Sequence, residues 1–155
     1  MLNLVRQSLA AAAMAVAALG GAAAFDPAFA AKPAVYTKAD KIAVGGYDPV
    51  SYFSGAPVKG AAQFQTTHEG ATFQFANAEN LAKFKADPAK YAPQFGGYCA
   101  YAVAKGGTAP GNPLNYTVHE GKLYLNLNSG IQKKWEANKS GYIADANSNW
   151  PKVIK

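Results

Sequence analysis

Apolar and polar residues alternate along two pairs of short runs in this chain. The first pair surrounds His68–Gly70, and the second surrounds His119–Gly121, 51 positions later. Alternation with a period of two is typical of β-strands with one buried face. The turn between the runs needs a positive φ, which Gly70 and Gly121 adopt readily. The pattern therefore predicts two β-hairpins, each with a histidine at the end of its first strand.

A helical pattern of apolar residues follows each hairpin. After the first, Asn77 is a suitable N-cap, Leu81 and Phe84 lie at helical spacing, and Pro88 ends the segment. The segment after the second hairpin has the same order of features, with a cap at Asn128 or Ser129 and an apolar stripe of Ile131 and Trp135.

The two hairpin-plus-helix segments are related in sequence. Residues 68–91 and 119–142 align without a gap and are identical at 7 of 24 positions. His68 and His119, the only histidines, open the two segments, so the repeat could also place two metal ligands symmetrically. A histidine at a strand end is usually a partly exposed cross-strand residue, which favours a structural repeat.

The first 30 residues have the features of a secretory signal peptide. Arg6 supplies a positive charge, residues 8–25 are uncharged, and Ala28–Ala30 has the spacing of a cleavage site. We predict a cut after Ala30, although a cut near Ala24 also fits. The alternative is an uncleaved anchor, which the weak apolarity of alanine disfavours. The mature chain is predicted to be periplasmic or secreted, with no stable membrane span after cleavage.

Residues 31–155 have the length of one domain. Tyr142, Ala146 and Trp150 recur at a spacing of four, which predicts a C-terminal helix that closes the core. The expected fold class is α+β: a small single domain of two hairpin-plus-helix units.

The charge pattern argues against nucleic acid as a partner. The formal net charge is +6, but the lysines are scattered and no arginine remains after the predicted cut. Arginine is the usual reader of bases and phosphates, so its absence disfavours such a surface. A basic face suits anionic polymers of the cell envelope instead. An envelope protein partner, of unknown identity, is a further hypothesis.

Cys99 is the only cysteine, so the chain has no internal disulfide. Buried cysteine is the commonest state of this residue. Cys99 precedes a short apolar segment that predicts a helix, and a thiol in a helical first turn has a lowered pKa and is reactive. A third interpretation is a metal ligand.

An ordered set of motifs resembles the YHS domain. The set begins with Gly45–Phe53 (GGYDPVSYF) and ends with Tyr91–Pro93; between them lie Gly70, Phe73, Phe75, Phe84 and Asp87–Pro88. The core of the resemblance covers residues 45–105, and the second hairpin-plus-helix unit covers 115–150. The continuation GGYCAYAVAKG resembles the secreted bacterial branch of the family. The resemblance implies a treble-clef-like α+β module associated with metal handling.

The chain departs from the metal-handling members of that family. Those members resemble DPVCGM followed by FCSxxC, and their cysteine positions are Ser51, Ala76 and Asn80 here. These residues are not soft metal ligands, so a thiolate site on the family's positions is absent. The remaining candidate ligands are Cys99, His68 and His119, a set that suits copper or another soft metal ion.

No nucleophile motif surrounds Cys99, and acidic residues are few and spread widely. We therefore expect an exported, non-catalytic YHS-type binding module that takes part in metal handling in the cell envelope; whether it carries a cofactor stays unknown. The alternatives are a structural or protein-partner-binding module without metal, and a thiol-dependent enzyme that uses Cys99.

Overall fold

The structure, a computed structural model, describes residues 30–155. The fold is α+β, as predicted, and the predicted signal peptide lies outside the described residues except for Ala30. No helix within residues 30–155 has the length and apolarity needed to cross a membrane. In chain order the strands and longer helices are β1 (Ala61–His68), β2 (Ala71–Phe75), α1 (Ala78–Ala86), α2 (Pro88–Tyr91), α3 (Ala100–Ala104), β3 (Asn112–His119), β4 (Lys122–Asn126), α4 (Ser129–Glu136) and α5 (Lys139–Asn149).

Both predicted hairpins are present, and their registers are equivalent. β1 pairs antiparallel with β2 so that His68 faces Ala71, and β3 pairs with β4 so that His119 faces Lys122. An irregularity interrupts each ladder at the same place, after Ala61 in one hairpin and after Asn112 in the other. The repeat is therefore structural down to the register of each residue pair.

The hairpin turns use two residues with positive φ rather than one. Glu69 has φ 48° and Gly70 has φ 78°, and the equivalent Glu120 and Gly121 have 51° and 71°. Positive φ at both central residues is the pattern of a type I′ turn, whose twist matches the strands it joins. The sequence indicated the glycine of each turn but not the strained glutamate beside it.

The repeat begins earlier than the hairpins, at a turn with three consecutive positive φ angles. Residues 44–46 have φ 54°, 58° and 79°, and residues 95–97 have 55°, 60° and 78°. Each turn leads into a tyrosine that bridges to the segment before the next hairpin, Tyr47 to Lys59 and Tyr98 to Pro110. All these positions differ by 51. We name residues 44–91 unit 1, residues 95–142 unit 2 and residues 32–43 the lead segment.

Matched side chains fill the core of the two units. Phe84 of α1 and Trp135 of α4 occupy equivalent positions, and both are fully buried. Phe84 packs against Phe73 and Phe75, whereas Trp135 packs against Tyr124. The predicted C-terminal helix is α5, and its Ala146 is buried in the cluster around Trp135. The helix caps are also equivalent, because the side chains of Asn77 and Asn128 accept from the backbone N–H three residues on.

Truncation of either core anchor should strongly destabilise the protein. We expect Phe84→Ala and Trp135→Ala each to lower the free energy of unfolding by about 3–5 kcal/mol, because each leaves a cavity among aromatic side chains. Urea denaturation of the mature protein measures this, with Lys134→Ala on the exposed face of α4 as the control. A loss below about 1 kcal/mol in either variant would contradict the assignment of matched anchors.

Candidate functional site

A cleft of about 420 Å³ lies where the two units and the lead segment meet. Unit 1 contributes Tyr47, Lys59 and the turn at Val44–Gly45. Unit 2 contributes Leu125, Leu127 and backbone around its own turn. The remaining lining residues come from the lead segment and unit 2: Tyr36, Thr37, Lys38, Asp40, Ile42, Gly97 and residues 110–113. A cavity of this size, lined by apolar and aromatic side chains with a few polar groups, has the character of a small-molecule site.

The equivalent tyrosines of the two units have different surroundings: Tyr47 lines the cleft, whereas Tyr98 is covered. The Tyr98 hydroxyl donates to the Pro33 carbonyl at 2.9 Å. Its ring packs against Tyr36 and Trp150, and Tyr98 is only 6% exposed. Burial, with a smaller contribution from Tyr36, raises the pKa of the Tyr98 hydroxyl. Tyr47 has none of these partners and is half-buried at the cleft wall.

Two lysines bring positive charge to the cleft. The Lys59 ammonium lies 4.2 Å from the centre of the Tyr47 ring and donates to the Gly45 carbonyl at 2.9 Å. Lys38, from the lead segment, also lines the cleft. Neither lysine forms an ion pair with a carboxylate within residues 30–155. The cleft therefore holds cations whose charge is not neutralised by a direct partner.

A second polar feature, in unit 1, is the buried carboxylate of Asp48. The residue is fully buried, and its carboxylate accepts three hydrogen bonds. The donors are the Val50 N–H at 2.8 Å, the Ala76 N–H at 2.9 Å and the Asn80 side-chain amide at 2.7 Å. Ser51 is joined to the same residue, because its hydroxyl donates to the Asp48 carbonyl. A buried carboxylate is tolerated only with such partners, so Asp48 ties the loop at residues 48–51 to the start of α1.

The family comparison falls on this part of the chain. A protein-family model described as YHS domain matches residues 49–95. Residues 49–95 are thus similar to the YHS family. No curated protein and no solved structure matches the chain. The resemblance seen in the sequence is confirmed for this segment, which begins within unit 1 and ends where unit 2 begins.

The YHS domain suggests a metal-associated module, and its metal ligands can be tested against the residues present. Ser51, Ala76 and Asn80, which stand at the family's cysteine positions, converge on Asp48 through the hydrogen bonds given above. One carboxylate and one amide side chain replace the thiolates, and their polar atoms are already bonded to each other. The residues here do not fit a soft metal ion.

In unit 2, a different residue accepts the hydrogen bond of the equivalent backbone N–H. The Val50 N–H is bonded by Asp48 in unit 1, and the equivalent Tyr101 N–H is bonded by the Asn126 side-chain oxygen at 3.2 Å. Cys99 stands at the position of Asp48. Its thiol donates to the same Asn126 oxygen at 3.6 Å. The acceptor therefore lies in the loop in unit 1 and at the end of β4 in unit 2.

Cys99 is buried, at 1% exposure, and directly precedes α3. This matches the interpretation of a buried thiol. Its backbone bridges to Leu125 of β4, whereas His119 pairs with Lys122 of the same strand. Leu125 and Lys122 are three residues apart, roughly 10 Å along a strand. The two candidate ligands also lie on opposite sides of β4.

The histidines end equivalent strands but have different surroundings. His68 lies with its ring edge-on to Phe73 and Phe84. The His119 side chain is 25% exposed, with its Nε2 3.8 Å from the Glu120 carboxylate. Within residues 30–155, no three His, Cys, Asp or Glu side chains form a group that could hold a metal ion. The structure therefore does not assemble Cys99, His68 and His119 into one three-ligand site.

Sequence analysis missed the cleft residues Tyr47 and Lys59. A signal for them was present, because Gly-Gly-Tyr occurs at residues 45–47 and again at 96–98. Aligning these motifs extends the repeat and pairs Tyr47 with Tyr98 and Asp48 with Cys99. The sequence could not show which of the two tyrosines the lead segment covers.

Replacement of Asp48 should test its role as a hydrogen-bond centre. We expect Asp48→Asn to lower the free energy of unfolding by about 2 kcal/mol, because an amide NH₂ group would face donors that now share the carboxylate. Urea denaturation compares this variant with Asp145→Asn, an exposed acid on α5. If both variants unfold at the wild-type urea concentration, Asp48 does not organise unit 1.

Proposed function

We propose that this protein is an exported, non-catalytic module that binds a small molecule in the cleft between its two units. One observation carries the proposal: Tyr47 is left open beside a cavity, whereas the equivalent Tyr98 is covered by the lead segment and Trp150. A duplicated fold that served only for stability would have no need of this difference. The export component rests on the signal-like pattern of residues 1–30.

The side chains of the cleft support binding rather than catalysis. Its ionisable groups are two lysines, two tyrosines and Asp40, and the cleft lining contains neither cysteine nor histidine. A cysteine or serine nucleophile with a histidine base, a common core of a covalent mechanism, is therefore missing from the cleft lining. Cys99, on which a thiol-dependent enzyme would rely, is buried against Asn126.

Metal handling in the envelope, the finer form of the family expectation, is a weaker candidate. The positions that would supply thiolates are engaged with Asp48. The cleft offers tyrosine, lysine and leucine side chains, which suit an organic ligand better than a soft metal ion.

Filling the cleft should abolish binding without unfolding the protein. Leu127 is 37% exposed and lines the cleft, so Leu127→Trp adds bulk where a ligand would sit. We expect ligands found by a thermal-shift screen of the mature protein, against carboxylates, amines, amides and sugars, to bind Leu127→Trp at least tenfold more weakly.

Leu114→Trp is the matched control, because Leu114 is an exposed leucine outside the cleft lining. It should bind every such ligand as the wild type does. The proposal fails if the screen yields no ligand, or if Leu127→Trp binds the ligands as tightly as the control.

A further inference from the structure

We propose that the cleft selects small aromatic carboxylates, an inference that rests on the proposed binding function and specifies its ligand class. The feature that carries it is the combination, in one lining, of apolar and tyrosine side chains with two lysines that form no ion pair with a carboxylate within residues 30–155. A ligand that satisfies both features has a flat apolar body and one negative group.

The apolar residues that line the cleft are suited to a planar hydrocarbon. Val44 and Leu125 are buried core residues that line the cleft, and Ile42 and Leu127 are further apolar lining residues. The ring of Tyr47 adds an aromatic wall that can stack or meet a ligand ring edge-on. Contact with these apolar and aromatic side chains favours a ligand with an aromatic or branched apolar group over a sugar or a polyamine.

The two lysines that line the cleft are suited to an anion. Lys59 uses one ammonium N–H on the Gly45 carbonyl, which leaves two further donors. Lys38 lines the cleft and has no carboxylate partner within residues 30–155. A carboxylate that reached either ammonium would gain charge-assisted hydrogen bonds, which are stronger than bonds between neutral groups.

Asp40 is the one acidic residue that lines the cleft, and its negative charge reduces the positive charge of the two lysines without cancelling it. One of its carboxylate oxygens accepts from the Ile42 N–H at 3.0 Å, so Asp40 is committed to the turn of the lead segment. Two lysines against one aspartate leave the lining with one net positive charge. The cleft is therefore matched to a monoanion rather than to a di- or trianion.

The probe is a matched pair, 2-naphthoate and its uncharged isostere 2-naphthamide, titrated into the mature protein by calorimetry. We expect 2-naphthoate to bind more tightly by about 2-fold to 30-fold, the range for two exposed ion pairs. The advantage should shrink at high salt, since exposed charges are screened. Equal affinities, or tighter binding of the amide, would overturn the ligand class.

Charge-removing variants test which lysines cause the preference for 2-naphthoate over 2-naphthamide. Lys38→Met/Lys59→Met should bind the two probes equally. Lys85→Met/Lys122→Met removes the same charge from exposed sites outside the cleft and should keep the preference. Loss of the preference in both double variants, or in neither, would assign it to overall charge or to another site and overturn the proposal.

The outcomes also separate this inference from the proposed function. Failure of 2-naphthoate to bind overturns the ligand class alone if other ligands bind the wild type and are lost in Leu127→Trp. Absence of any ligand sensitive to Leu127→Trp overturns both. Binding of 2-naphthoate that Leu127→Trp leaves unchanged places the probe outside the cleft and also overturns the inference.

Discussion

The turn with three successive positive φ angles, present once in each unit, is the constraint on which the rest of the structure depends. It directly precedes Tyr47 in unit 1 and Tyr98 in unit 2, and each tyrosine bridges to the segment before its hairpin. In unit 2 the turn also receives the lead segment: a Cβ on Gly96 would lie 1.8 Å from the Ala34 carbonyl oxygen, and the Tyr36 N–H donates to the Gly96 carbonyl. The equivalent Gly45 instead approaches the side chain of Pro113. One conformation thus accepts two different neighbours, the lead segment at Gly96 and the side chain of Pro113 at Gly45.

The two units share a backbone conformation but differ in the side chains that accept its hydrogen bonds. The same loop N–H is satisfied by Asp48 in one unit and by Asn126 in the other, and Cys99 fills the place of the aspartate. A buried donor left without an acceptor costs about 1–3 kcal/mol, so an acceptor is required at this point, whichever residue supplies it. Ser51, Ala76 and Asn80, which stand at the family's cysteine positions, are joined to Asp48 by hydrogen bonds. Organisation of this loop therefore does not need a bound metal in this chain.

Sequence reasoning predicted the local elements and missed the long-range relations. Alternation, caps and glycines located both hairpins, both long helices of the repeat and the closing helix α5, because those signals act over a few residues. The bonds of Asp48 to Ala76 and Asn80 span 28 and 32 residues and have no local signal. Coverage of Tyr98 depends on Pro33 and Trp150, which are remote in sequence and come together only in the folded chain.

The central claim is that duplication leaves Tyr47 open where Tyr98 is covered. Tyrosine nitration of the folded mature protein, mapped by peptide mass spectrometry, tests it most directly. Nitration attacks accessible phenolate, and the partners of Tyr98 both cover its ring and raise the pKa of its hydroxyl. We predict that Tyr47 is nitrated several-fold faster than Tyr98 in the folded state and that the difference disappears in urea. Equal rates in the folded protein, or faster nitration of Tyr98, would contradict the account.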